Sequence, residues 1–166
     1  MSKLKLPLFL FVLIFIFSSC EKPLYHDFIG EKNSYKITVP YSWHEIDELN
    51  ENADLCLGDS KQSQFLVIIL DYKEDFEMNF SIEDYFALSR DSILASNNGS
   101  LLISGDEDAL NFIISGVSDG VKVCFYVSIK EDMNNFYQLV FWTTERQFYE
   151  TEIVFQNITD SFIELD

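Results

Sequence analysis

Side chains able to do covalent or acid–base chemistry are few in this chain. Its 166 residues include two histidines, His26 and His44, and three cysteines, Cys20, Cys56 and Cys124. A hydrolase of the Ser-His-Asp type would need His44 held between a serine and an aspartate. No Gly-x-Ser-x-Gly turn is present to hold such a nucleophile. His44, next to Trp43, therefore reads as a histidine of a surface loop. Asp106-Glu107-Asp108 offers oxygen ligands for a divalent cation. It lacks the spaced acidic loop and closing glutamate of a calcium site, so a solvated turn is expected. Glu74-Asp75 with Glu77, and Glu131-Asp132, read the same way. Phosphate loops, dinucleotide fingerprints and zinc spacings are absent. The expectation is no metal, no cofactor and no catalytic residue.

Cys20 differs because of what precedes it. Lys3 and Lys5 open the chain, ten apolar residues follow at 8–17, and Ser18 and Ser19 lead into Cys20. That is the layout of a secretory signal. A spanning helix needs about 20 apolar residues, twice this run. Phe17-Ser18-Ser19-Cys20 resembles a bacterial lipobox, with Phe17 where Leu is usual. The resemblance implies that the Cys20 thiol carries diacylglycerol, that the signal is cut before it, and that the new N-terminus is acylated. Two or three acyl chains hold a protein on a bilayer where one is marginal, at about 0.8 kcal/mol per buried methylene. The expected organisation is a signal peptide at 1–19, a lipid anchor and short tether at 20–33, and one globular domain at 34–166. Thirteen flexible residues reach about 20 Å, so the domain stays near the lipid. The expected location is the bacterial cell envelope, at the periplasmic face or the cell surface.

Composition supports one folded domain. Apolar residues make up 48% of the chain, too many for disorder. Without Lys3 and Lys5, nine basic residues face 28 acidic ones, a net charge near −19. No basic cluster follows Lys5, which excludes the phosphate-neutralising surface of a nucleic-acid binder. It also excludes an electrostatic second anchor on anionic lipid. Once Cys20 is lipidated, Cys56 and Cys124 remain, 68 positions apart. An oxidising compartment permits a disulfide between them, provided that their Cα atoms lie within about 7 Å. The alternative is two small buried hydrophobes.

The elements that would position these groups follow from periodicity. Tyr35, Ile37 and Val39 alternate on a first strand that Pro40 ends. Residues 41–52 read as a loop or short helical turn. Residues 54–57 form a second strand, and the six apolar residues 65–70 a central third strand. Ser81 and Asp84 form a capping box before a helix bearing Ile82, Tyr85, Phe86 and Ile93 on one face. Four strands follow, at 101–104, 110–115, 121–129 and 136–143, with Ser118-Asp119-Gly120 as a hairpin turn. Thr144 and Gln147 suggest a second capping box. The last helix carries Phe148, Phe155, Ile158 and Phe162 in a stripe. The order is βββαββββα: an α+β class domain, an antiparallel β-sheet meander with two amphipathic helices.

This order resembles the PsbP-like fold, an α/β/α sandwich shared with a Ran-binding nuclear import factor. The residues that carry the resemblance are Tyr35-Lys36-Ile37-Thr38-Val39-Pro40 with Trp43, then Ser81-Ile82-Glu83-Asp84-Tyr85, Phe136-Tyr137 and Ser161-Phe162. The resemblance implies a binding or assembly module without a shared active site, hence a non-enzymatic role. A protein partner in the envelope is expected. Its expected contact surface is the 41–52 loop, with Tyr41, Trp43, Asp47, Glu48 and Glu51, together with the turn at 105–108. Neutralising a basic toxin would suit the acidity. A carrier of a small apolar ligand is the alternative from another class, and a hydrolase has the least support.

Overall fold

The computed structural model describes residues 24–30, 34–47, 49–97, 100–103, 110–118 and 120–165, with backbone alone at 101–103. The first strands are β1 (Tyr25–Ile29), β2 (Tyr35–Pro40), β3 (His44–Glu45), β4 (Leu55–Asp59) and β5 (Gln64–Tyr72). Helix α1 (Ile82–Ser96) leads to β6 (Ser100–Ile103), β7 (Asn111–Ser118), β8 (Val121–Glu131) and β9 (Asn135–Thr144). Helix α2 (Phe148–Asp160) and the short β10 (Ile163–Glu164) complete the chain. The architecture is α+β, with two helices and antiparallel sheets, as the sequence pattern predicts.

Seven strands form the main sheet in the order β3-β4-β5-β9-β8-β7-β6. Both of its faces are covered, which is why β8 is buried along most of its length. On one face, α1 sets Tyr85 and Phe86 against Phe112, Phe125, Val127 and Phe136. On the other, α2 sets Phe148, Phe155 and Ile158 against Tyr126, Leu139 and Phe141. Alternation along β8 and β9 divides their side chains between these two cores.

The strand that opens the predicted order lies outside the main sheet. β2 is the middle of a small sheet, β1-β2-β10, and its Tyr35, Ile37 and Val39 point into the α2-side core. β1 occupies residues assigned to the tether. It pairs with β2 along its whole length, from Tyr25↔Pro40 to Ile29↔Lys36. A strand thus lies nearer Cys20 than the 34–166 boundary suggests. Cys20 itself, the expected signal segment at 1–19 and the expected turn at 105–108 lie outside the described residues.

Local signals at the helices have different outcomes. At α1 the capping box forms: Ser81 Oγ accepts from Asp84 N–H at 3.2 Å, and Asp84 Oδ2 accepts from Ser81 N–H at 3.0 Å. At α2 it does not. Thr144 Oγ1 donates to Gln147 Oε1 at 2.7 Å, and the helix begins after Gln147 without a side-chain cap. Phe162 lies beyond the end of α2, stacked on Tyr35 with centroids 5.0 Å apart. Ser161 joins the helix end to the small sheet, its Oγ accepting from Thr38 N–H at 3.0 Å.

Candidate functional site

Loop 41–52 leaves the small sheet at Pro40 and reaches the edge of the main sheet through β3 and β4. Its first residues turn sharply, with Trp43 N–H bonded to Pro40 O at 2.9 Å. That turn sends Trp43 inward. Only 1% exposed, it meets Phe155 of α2 edge to face, with centroids 6.4 Å apart. Trp43 is therefore a core residue and is removed from the expected contact surface. The apolar floor beneath the loop attracts an indole more strongly than water does. Tyr41 remains half exposed, its ring against His26. Asp47 and Glu51 are exposed, and neither forms an ion pair with a described residue. Glu48 lies outside the described residues.

His44 is exposed on β3, and its Nδ1 lies 3.3 Å from Ser42 O. His26 stands edge to face with Phe28 in β1. Among the described residues no three His, Cys, Asp or Glu side chains converge as a metal cluster. No described helix is long and apolar enough to cross a membrane.

The two cysteines are free thiols. Cys56 pairs with Val67 on the α1 side of β4, whereas Cys124 lies in the α2-side core. Strands β5 and β9 lie between them. Three strand spacings amount to about 14 Å, twice the reach of a disulfide. The bridge that the compartment would permit between Cys56 and Cys124 is thus out of reach in this sheet order. Burial pushes both thiols up from their ordinary titration range.

Titratable groups with a built environment are engaged in holding turns. Tyr35 Oη donates to Asp54 Oδ2 at 2.7 Å, and Tyr85 Oη to Asp71 Oδ2 at 2.5 Å. Tyr137 Oη donates to Asp132 Oδ2 at 2.5 Å. Burial, and then the aspartate facing each hydroxyl, raise all three phenols, Tyr137 to about 12. Asp132 experiences opposing influences. Burial pushes it up, but bonds from Tyr137, Asn135 and the backbone of 134 and 135 outweigh that and hold it below the usual carboxylate range.

An open trough between the end of α1 and the main sheet was not evident in the sequence. It encloses about 400 Å³ over Val67, Ile69, Val140 and Trp142, rimmed by Gln138 and Asn97. None of its lining residues is charged. Its only sequence signal is the alternation of Gln138, Val140 and Trp142 with the fully buried Tyr137, Leu139 and Phe141.

No family model matches the sequence, and no curated protein matches it. Solved structures do match. Cyanobacterial PsbP from Synechocystis superposes with a TM-score of 0.58 at 11% identity, covering 89% of this chain and 96% of that one. The Ran-binding protein Mog1p of Saccharomyces cerevisiae gives 0.59 at 7% identity, covering 86% and 96%. LpqN of Mycobacterium tuberculosis, a protein involved in cell envelope biogenesis, gives 0.52 at 12% identity, covering 86% and 91%. At such identities the likeness speaks to architecture, and the architecture of this chain is the PsbP-like fold.

Proposed function

We propose that this chain is a lipid-anchored envelope protein that binds a protein partner and performs no chemistry of its own. The observation that carries the reading is the acidic loop at the sheet edge. Asp47 and Glu51 are presented to solvent on a frame that buried aromatics and Tyr–Asp bonds hold rigid. A rigid surface with unpaired charge favours recognition of a basic partner and fast encounter. Anchoring at Cys20 would confine the domain and its partner to one surface, so a weak interface suffices. Mog1p binds Ran and LpqN serves envelope biogenesis; a binding role at the envelope is consistent with both.

The test is capture from detergent-solubilised envelope of the source cells by the mature domain. Asp47→Lys with Glu51→Lys should leave the melting temperature unchanged and reduce recovery of the partner, most at low salt. Equal recovery by variant and parent refutes the loop as the interface. Turnover of a substrate that His44→Ala abolishes refutes the non-enzymatic reading.

The uncharged trough favours one second reading, a carrier of a neutral apolar ligand. Its volume falls within the range of small-molecule sites. Nile red should then gain fluorescence on titration with the domain, and Trp142→Ala should reduce that gain.

A further inference from the structure

An exposed apolar patch lies at the entry to β1. Leu24 is 80% exposed and Tyr25 56%. Tyr41 joins them, since its N–H donates to Leu24 O at 3.0 Å. Pro40 faces Tyr25 across β1 and β2, and His26 leans on the Tyr41 ring. Tyr25 of β1, the leucine just before it and the tyrosine just after β2 form a surface that water solvates poorly. Backbone pairing holds them side by side on one surface.

We propose that this patch rests on a lipid bilayer and sets the orientation of the domain. The proposal builds on the reading of Cys20 as the lipidated residue. Glu21, Lys22 and Pro23 alone separate Cys20 from Leu24. Four chain steps reach about 14 Å at full extension. Leu24 therefore lies within that distance of the lipidated residue, and whatever surrounds it faces the headgroups. Tyrosine suits that depth, because its ring is apolar and its hydroxyl stays wet.

Charge points to the same face. The chain carries a net −17, which an anionic leaflet repels. Residues 24–26 and 40–44 contain no carboxylate. The next one on β1, Asp27, takes Lys36 Nζ at 3.2 Å and Thr38 Oγ1 at 2.7 Å. Those bonds hold its carboxyl below the ordinary range, and Lys36 offsets its charge. The anchored end of this acidic protein is thus its locally neutral end.

Met133 supplies a matched control. It is 89% exposed and sits in the β8–β9 turn. Tyr137, near that turn, touches Tyr35 at the start of β2, whereas Tyr41 follows the end of β2. The two apolar sites therefore lie at opposite ends of β2.

The experiment uses full-length lipoprotein extracted from membranes and reconstituted into phosphatidylcholine vesicles containing a spin-labelled acyl chain. Leu24→Cys, Tyr41→Cys and Met133→Cys, each with Cys56→Ser and Cys124→Ser, are labelled with a small fluorophore. Labels at 24 and 41 should be quenched and the label at 133 should not. The mass of the extracted protein reads lipidation separately. A lipidated protein with no quenching at 24 and 41, or with equal quenching at all three sites, overturns the orientation and leaves the anchor intact. A mass without lipid overturns the anchor reading and the orientation with it.

Discussion

At the scale of the residue, tyrosine hydroxyls facing aspartates connect turns to the core. Asp132 is the most heavily used, bonding Tyr137 Oη, Asn135 Nδ2 at 2.8 Å and the N–H of Asn134 at 2.6 Å. Tyr137→Phe keeps the ring and removes one bond to a charged acceptor, at a cost of about 2 kcal/mol. Urea unfolding at neutral pH measures that loss. The sign with pH follows from Asp132, whose folded value lies below its unfolded one. Its contribution is present above the unfolded value, near 4, and is lost as pH falls through the folded value. Stability should therefore fall more steeply with acid in the parent than in Asp132→Asn. The cysteines give a second prediction at this scale. Denatured without reductant, the domain should take up alkylating agent at both Cys56 and Cys124, as read by mass. Unmodified thiols there would mean a bridge that the sheet order forbids. The sequence showed the pairing chemistry of neither set. Each tyrosine of the Tyr35–Asp54 and Tyr85–Asp71 pairs meets an aspartate on another element, and a residue's neighbours across a fold do not appear in its local pattern. For the cysteines, strand membership was legible but strand order was not.

At the scale of the element, a signal confined to a few neighbouring residues is legible where the backbone it needs is also local. Ser81 and Asp84 cap α1 because the whole device spans one turn of chain. Ser81→Ala should cost about 1 kcal/mol, measured as a drop in thermal or urea stability. The connection of β7 to β8 likewise rests on a local need, the positive φ of Gly120 at 79°. Thr144 and Gln147 share the spacing of a cap and form none. They bond to each other instead, because the chain turns once more after β9 before α2 begins. The short strands β1, β3 and β10 leave no pattern in the sequence for a related reason. Each exists only because a partner strand is beside it, and His26 and Asp27 interrupt the apolar pattern of β1. Gly58 shows how close such pairing can be. A Cβ there would stand 2.5 Å from Gln64 O and 2.9 Å from Ile46 Cδ1. Gly58→Ala should destabilise the domain by about 1–3 kcal/mol, the range for overpacking. Its β4–β5 backbone amides should also exchange faster with solvent. An unchanged exchange pattern would mean that the strands absorb the methyl group.

At the scale of the whole molecule, the layered α/β/α plan was legible from element order, and the division into two sheets was not. β2 alternates buried and half-buried residues, as any strand with one covered face does. Nothing in that pattern says whether its hydrogen-bonded neighbours are β1 and β10 or strands of the main sheet. Charge is the other property that belongs to the whole. The chain has 28 acidic and 11 basic residues. Among the described residues the ion pairs are Lys36–Asp27, Lys73–Glu131, Arg90–Asp91 and Lys122–Glu145. All involve partly or largely exposed side chains, where a pair contributes about 0–1 kcal/mol. Repulsion among the remaining carboxylates acts over the whole surface and opposes compactness. Added salt weakens both effects, and repulsion is the larger because unpaired acids outnumber pairs. The melting temperature of the domain should therefore rise as salt is raised to about 0.15 M, where the Debye length has shortened to about 8 Å. Arg90→Gln breaks one pair and adds to the net negative charge, so its melting temperature should depend on salt more steeply than that of the parent. A fall in melting temperature with salt would instead place the ion pairs above the repulsion and contradict the reading of this surface as acid held apart by solvent.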